Sequence, residues 1–415
     1  MSVEIAAAPR SRVPVIALLG ANAVSMTGNV AALVAIPWFV LETTGSPART
    51  GITAFAGLLP IVVSGLFGGA LVDRLGYRRT GVLADLASAA AVAAIPLLHA
   101  TIGLTFWQLV ALVFVGGLLD APGATARGAL IPDVCARAGW SLERGSGANA
   151  VVERGARLAG APLAGVLIAV TGATNVLWID AATFVVSAAA VAAWVPRPGQ
   201  RPPRSSTSYA AELRAGYSFL RRDATLAALV GMLSVTNLFD AVSFVALPVY
   251  AERIYASPVA LGALIGAQGA GSVVGAMVFA AVGHRLSRRR VFGWGFVLTV
   301  LWYPVALLFP PLAVMVGAKA ISGIASGPLN PVIDTVFYER VPSGMRARVL
   351  GVTQAAAWVA MPLGVLIAGA VIEAVGLAPT LLGVGSLYLA VTLAAMALPG
   401  LRGLDERHSL GDLAA

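Results

Sequence analysis

Charge is scarce in this sequence. Only 11% of its 415 residues are Asp, Glu, Lys or Arg, against about 25% in a typical soluble domain. With 58% hydrophobic residues and a mean hydropathy of +0.86, an ordinary water-soluble domain is excluded. Lysine is nearly missing: Lys319 is the single one, and every other basic residue is arginine. Cys135 is the only cysteine, so no disulfide forms within the chain. The three histidines, His99, His284 and His408, are scattered, and no spacing suits a metal. There is no Walker motif to cradle a nucleotide and no Ser/His/Asp grouping for hydrolysis. The chain is therefore read as neither an ATP-driven machine nor an enzyme, with no metal and no cofactor. No cleavable signal is visible, because the short basic start (Arg10, Arg12) leads directly into a full-length apolar run.

What the chain has is long apolar runs, almost end to end. Crossing the hydrocarbon takes about 20 mostly apolar residues as a helix. A membrane barrel would need alternating strands of about 10 residues, and these runs are unbroken and rich in Ala, Leu and Val. Helices are expected, since only they satisfy the backbone within one segment. About twelve spans are read, near 14–41, 50–72, 80–99, 104–130, 146–171 and 174–195, then near 224–250, 258–282, 291–309, 311–338, 348–372 and 377–399.

The net charge of +9 would suit nucleic acid, but the arginines cluster in short loops between spans. Alternate loops carry them: Arg74, Arg78 and Arg79; Arg137 and Arg144; the central linker; Arg285, Arg288, Arg289 and Arg290; Arg340, Arg346 and Arg348. The positive-inside rule makes these loops cytoplasmic, places both termini inside, and removes the need for a nucleic-acid partner. The organisation expected is a six-helix half over 1–195, a cytoplasmic linker over 196–223, a second six-helix half over 224–399, and a cytoplasmic tail over 400–415. Proline and serine dominate the start of the linker. From Tyr209, however, Tyr209, Leu213, Tyr217 and Leu220 recur at helical spacing opposite Arg214, Arg221 and Arg222. That predicts an amphipathic helix on the membrane surface, or else a plain solvated connector.

The stretch Gly69-Ala70-Leu71-Val72-Asp73-Arg74-Leu75-Gly76-Tyr77-Arg78-Arg79 sets an acid and three arginines between two apolar runs. A related stretch, His284-Arg285-Leu286-Ser287-Arg288-Arg289-Arg290, returns about 210 residues later. The repeat shows again where Pro162-Leu163 and Pro362-Leu363 each lead into Gly-Val-Leu-Ile-Ala, with one extra Ala after Leu163. Small residues at Gly262 and Gly266, Gly271 and Gly275 allow helix backbones to approach closely. Prolines inside the spans, among them Pro37, Pro60, Pro122, Pro162, Pro248 and Pro362, permit kinks. Two similar halves around a pocket is a transporter architecture.

The pattern Gly69-x-x-x-Asp73-Arg74-x-Gly76-x-Arg78-Arg79 resembles the loop motif of major facilitator superfamily transporters. Across the chain the resemblance is to the drug:proton antiporter group that includes macrolide exporters, siderophore exporters and Tap-type multidrug pumps. It is carried by Pro37-Trp38, by Arg127-Gly128-Ala129-Leu130-Ile131-Pro132-Asp133, by Ala138-Gly139-Trp140-Ser141-Leu142-Glu143-Arg144, by Trp178 to Phe184 and by Gly327-Pro328-Leu329-Asn330-Pro331. The resemblance implies an all-α polytopic major facilitator fold, and a loop (Gly69, Asp73, Arg74, Gly76, Arg78, Arg79) that latches one conformational state. Asp73 is expected to pair with Arg127 or to cap a neighbouring helix. The chain also departs from the group. Asn29 stands where many relatives place an acid, and no intramembrane arginine is evident in the fourth span.

An ionisable group at mid-bilayer costs about 2.5–3.5 kcal/mol on insertion scales, so each must face a cavity, find a partner or lose its charge. The candidates for carrying a coupling proton are Asp120, Glu153, Asp240 and Asp334. Glu153 and Arg157 are spaced to pair on one helix face, with Asp120 a partner for Arg154. Asp180 reads as a polar anchor between helices, and Lys319 can pair with Asp240. Candidates for a substrate cavity are Asn22, Asn29, Trp38, Arg157, Asn237, Gln268, Lys319, Asn330, Gln354 and Trp358, though packing alone would also explain them. The expected function is export of lipophilic drugs or related small molecules across the inner membrane, driven by a proton gradient, by a monomer whose partners are substrate, protons and lipid. Dedicated export of one metabolite or siderophore, import of a nutrient, and a non-transporting sensor are the alternatives.

Overall fold

The computed structural model describes residues 11–196 and 209–405, apart from the side chains of 65–74, 209–213, 343, 347, 399 and 402. Every regular element among the described residues is helical. In chain order these are α1 (Val13–Thr44), α2 (Pro47–Leu75), α3 (Tyr77–Ala100), α4 (Phe106–Ala129), α5 (Ile131–Ala138), α6 (Leu142–Thr171), α7 (Ala173–Trp194), α8 (Tyr209–Arg222), α9 (Ala224–Tyr250), α10 (Pro258–Val282), α11 (Arg288–Thr299), α12 (Trp302–Ala306), α13 (Leu312–Ser326), α14 (Leu329–Arg340), α15 (Arg346–Val375) and α16 (Leu377–Ala397). Among the described residues, ten stretches are long and apolar enough to cross a membrane. Short polar residues set several helix starts by accepting orphan amides: Ser141 from Arg144, Ser257 from Ala260, and Asp223 from Thr225 and Leu226.

Two apolar runs of the sequence are interrupted. The run near 311–338 divides at Gly327-Pro328 into α13 and α14, and the run near 291–309 divides at Val300–Leu301 into α11 and α12. Pro248 weakens the last turn of α9, which relaxes into a π-helical turn at Ala251–Tyr255.

The chain packs as two compact units. Unit 1 takes the chain up to Phe39 and from Ala56 to the linker; unit 2 takes Val40–Phe55 and the chain from α8 onward. In unit 1, α3 lies between α4 and α7. In unit 2, α10 packs on α13 and α9 on α15. The α10–α13 seam has almost no side chain in it: a Cβ at Gly271 or Gly275 would strike the backbone of Ala320 or Ile324, and one at Gly323 or Gly327 the backbone of Gln268 or Ser272. Helix α8 docks on α15, where Gly216 meets the Arg348 carbonyl.

The internal repeat is structural as well as textual. Helices α6 and α15 each run 30 residues through a proline, Pro162 or Pro362. Each ends at a glycine of similar backbone, Gly172 at φ 87°, ψ 156° and Gly376 at φ 92°, ψ 166°, a left-handed conformation in which a side chain is strained. The stretch from Pro399 onward does not begin as a free tail. Pro399–Asp405 forms 3₁₀ turns that bury Leu401 and Leu404. The Asp405 carboxylate accepts from Ser287 Oγ at 2.9 Å and from the Arg289 amide at 3.2 Å.

Candidate functional site

The apolar helices of unit 1 enclose one polar network, and Arg127 is its centre. This residue lies in the last turn of α4 and is only 2% exposed. Its guanidinium is engaged on every branch. Nη1 is bonded to Asp85 of α3, Nε donates to Asn22 Oδ1 of α1 at 3.0 Å, and Nη2 donates to Ser25 Oγ at 3.5 Å. Gly123, one turn earlier, lets α4 approach α3 closely beside this pair, since a Cβ there would strike Ala84. Asp85 also accepts from Ser187 of α7 at 2.7 Å. The network continues through Asn22 Nδ2, which donates to Asn149 Oδ1 at 2.9 Å, and Asn149 Nδ2, which donates to Glu153 Oε1 at 2.8 Å on α6. Five helices of unit 1 are thus tied to one arginine.

Asp120 sits beside this arrangement and is differently placed. Asn29 Nδ2 donates to its Oδ2 at 3.1 Å, while its Oδ1 lies 3.8 Å from Arg127 Nη2 and makes no hydrogen bond to a described residue. Arginine stays protonated in proteins, so one fixed positive charge faces two carboxylates. Asp85 has one oxygen on it and the other on Ser187, and Asp120 is the surplus acid.

The sequence reading and the structure part company at three places in this network. Arg127, in a span where the sequence shows no evident intramembrane arginine, is buried and bonded to Asp85, Asn22 and Ser25, while its expected pairing with Asp73 involves a side chain outside the described residues. The fourth span therefore does hold a buried arginine. Asp85 is absent from the sequence candidates although the rule that selects Asp120, a lone acid inside an apolar run, selects it equally. Glu153 and Arg157 form no ion pair; Glu153 is taken by Asn149, which stands four residues to its other side, and Arg154 and Arg157 are exposed. Asp180 is wholly buried beside Gly28 of α1, with Thr183 as its hydroxyl neighbour and one oxygen unpartnered.

The loop motif is only partly visible. Gly69, Asp73 and Arg74 belong to α2, but what surrounds their side-chain positions lies outside the described residues. Gly76 caps α3 at φ 82°, and Arg79 is exposed. Arg78 donates to the carbonyls of Val191 and Ala192 at the end of α7. In unit 2, Arg289 does the same for the end of α16, donating to Met396 O at 2.7 Å. Both contacts set a cation on C-terminal helix carbonyls.

The remaining candidates disperse. Trp38 is buried on α1. In unit 2, Asn237 donates to Ala357 O at 2.9 Å, and Trp358 donates to Gln354 at 3.0 Å on an exposed face of α15. Gln268 is half-buried on α10, whereas Asn330 and Asp334 are exposed on α14. Lys319 is fully buried on α13, over the ring of Trp302.

Comparison with known proteins places this arrangement. A family model described as transmembrane secretion effector, of major facilitator type, matches residues 6–411. The multidrug efflux pump Tap of Mycobacterium tuberculosis H37Rv is 33% identical over 402 residues, covering 95% of this chain and 96% of that protein. The macrolide efflux protein A of Streptococcus pyogenes is 22% identical over 394 residues, covering 92% and 95%. Among solved structures, the nucleoside transporter NupG superposes with a TM-score of 0.76 at 12% identity, covering 92% of this chain and 98% of that one. A bacterial homologue of the lysosomal transporter Spinster gives 0.73 at 15% identity, covering 96% and 99%. These structures carry the fold alone; the sequence matches carry the family. The chain is a multi-pass membrane protein that belongs to the transmembrane secretion effector family of major facilitator transporters, a family of transporters and not of enzymes.

Proposed function

We propose that this protein exports lipophilic drugs or related small molecules across the cytoplasmic membrane in exchange for protons. Likeness to pumps named for multidrug and macrolide efflux supports the export direction and the substrate range. We further infer twelve spans with both termini inside and a monomer as the working unit. Helix α6 has the length of a span but carries Glu153, Arg154 and Arg157, and α11 with α12 together make another.

The observation that carries proton coupling is the surplus acid. With a proton on Asp120, Arg127 Nη2 is left to Ser25. When the proton leaves, the bare carboxylate competes for the same branch across 3.8 Å. Because Arg127 also holds α1, α3 and, through Asn22, α6, one proton on Asp120 biases how those helices pack. The loop of Gly69 to Arg79 sets the balance between conformations without choosing the substrate.

The test is ethidium accumulation in cells with and without a protonophore. The expected result is lower accumulation in expressing cells, abolished by the protonophore. Asp120→Asn should retain ethidium binding by the purified protein while losing energised export. No change in accumulation across a panel of dyes and antibiotics overturns the reading.

A further inference from the structure

Unit 2 holds a second buried cation in a very different setting. Lys319 is 0% exposed, and its Nζ makes no hydrogen bond to any described residue. An ammonium has three donors, and leaving it unpaired in the interior is among the most unfavourable arrangements a protein can hold. One aromatic face meets it, and that ring belongs to a wider group. Nζ stands 4.5 Å from the centre of the Trp302 ring. Trp302 packs on Tyr303 at 4.0 Å, and Tyr388 of α16 stacks on Phe239 of α9 at 5.3 Å. All four rings are buried.

One acid serves this cluster. Asp240 of α9 lies within electrostatic reach of Lys319 and beside Tyr388, but among the described residues no ion pair within 4.0 Å joins it to the lysine. The other packed elements add no charge. Helix α10 has no ionisable side chain, α12 and α16 contribute the phenols of Tyr303 and Tyr388, the arginines of α11 stand at its far start, and Asp334 on α14 is exposed. Two further buried hydroxyls, of Thr392 and of Tyr388 beside Asp240, also make no hydrogen bond within ordinary length to a described residue. An apolar cavity of about 200 Å³ between α11–α12 and α16 shares Tyr303 with the cluster.

Aromatic faces around a single carboxylate are the chemistry that recognises an organic cation. We propose that Phe239, Asp240, Trp302, Tyr303 and Tyr388 form a binding site for lipophilic organic cations, and that the Lys319 ammonium is its tethered stand-in when the site is empty. A cationic ligand displaces the stand-in. Lys319 then passes one proton to water and becomes a neutral amine, and Asp240 balances the ligand's charge in place of the ammonium's. One cation enters as one proton leaves, so the interior keeps its net charge. The ammonium is suited to this because, unlike a guanidinium, it deprotonates readily when buried.

This inference rests on the export reading for its place in transport, but binding tests it separately. Purified full-length protein is titrated with ethidium in weak buffer containing a pH indicator. The wild type should release close to one proton per ethidium bound, with affinity rising about tenfold per pH unit while the lysine is charged. Lys319→Gln should bind ethidium at least as tightly and release none, and Asp240→Asn should bind at least about tenfold more weakly. Equal proton release by Lys319→Gln, unchanged binding by Asp240→Asn, or pH-independent binding by the wild type each overturns the site. The last needs no variant to fold. Proton release by the wild type together with protonophore-insensitive accumulation would keep the site and overturn antiport instead.

Discussion

Two buried cations set the two units apart. Arg127 in unit 1 is bonded on all branches to groups from α1 and α3, and its charge is matched by Asp85. Lys319 in unit 2 has a ring face and an acid at a distance, and no hydrogen bond to a described residue. The guanidinium is permanent and forked, so the helices around it can be built to fit; the ammonium is a point charge that can be given up. Under the proposed exchange, the cation of unit 1 is a fixed hub beside the acid that takes the proton, and the cation of unit 2 is the one a ligand replaces.

Removing each cation in turn separates these roles. Arg127→Met leaves Asp85 buried without a counter-charge and should destabilise the protein by about 3–5 kcal/mol, read as a large fall in the thermal midpoint in detergent. Lys319→Met removes an ammonium with no hydrogen bond to a described residue and leaves Asp240, which is only half-buried and has no ion pair within 4.0 Å among the described residues to lose, so the midpoint should move by less than about 1 kcal/mol in equivalent stability or rise. Equal losses for the two would erase the distinction.

A smaller effect is expected at the seam that carries Lys319. Gly275→Val drives a side chain into the backbone of Ile324 and should cost about 1–3 kcal/mol. Gly231→Val on α9, where nothing lies within 4 Å, should leave the midpoint in place. Tolerance of both would mean that α10 and α13 part easily.

The smallest effect belongs to the paired hinges. Arg78 and Arg289 cap equivalent helix ends, and the second hinge is also held by Asp405, which accepts from Ser287 and the Arg289 amide. Close by, Arg288 forms a bidentate pair with Glu339 at 2.6 and 2.8 Å. Asp405→Asn should cost about 1 kcal/mol, in the range of a lost helix cap, and Arg79→Gln, on an exposed side chain, should cost nothing measurable. Thermal midpoints of the two variants decide it.

The helices were legible because hydrocarbon tolerates so few alternatives: an apolar run of sufficient length has to be a helix, whatever its neighbours. The repeat was legible too, since Pro162 and Pro362 mark helices of equal length ending on equivalent glycines. Partnerships were not. Spacing shows that Glu153 can reach Arg157, but it shows the same for Asn149, and only the packing of α1 against α6 decides between them. Asp85 and Arg127 lie 42 residues apart in sequence, and nothing local joins them; the α3–α4 contact does. The interruptions, by contrast, are written locally: Pro328 stands at one, and at the other Pro304 has no amide to donate to the Val300 carbonyl.

The burial of Cys135 and Lys319 has a practical side. The chain's single thiol is enclosed among Leu18, Ile131 and Val191, and its single side-chain amine is enclosed on α13. Thiol- and amine-directed reagents thus find no exposed side-chain target among the described residues of the folded protein. A cysteine introduced at an exposed position such as Leu308 becomes the one addressable thiol among the described residues without the native Cys135 having to be removed. Reaction of an amine reagent at Lys319 in turn reports, at one defined atom, that the interior of unit 2 has opened.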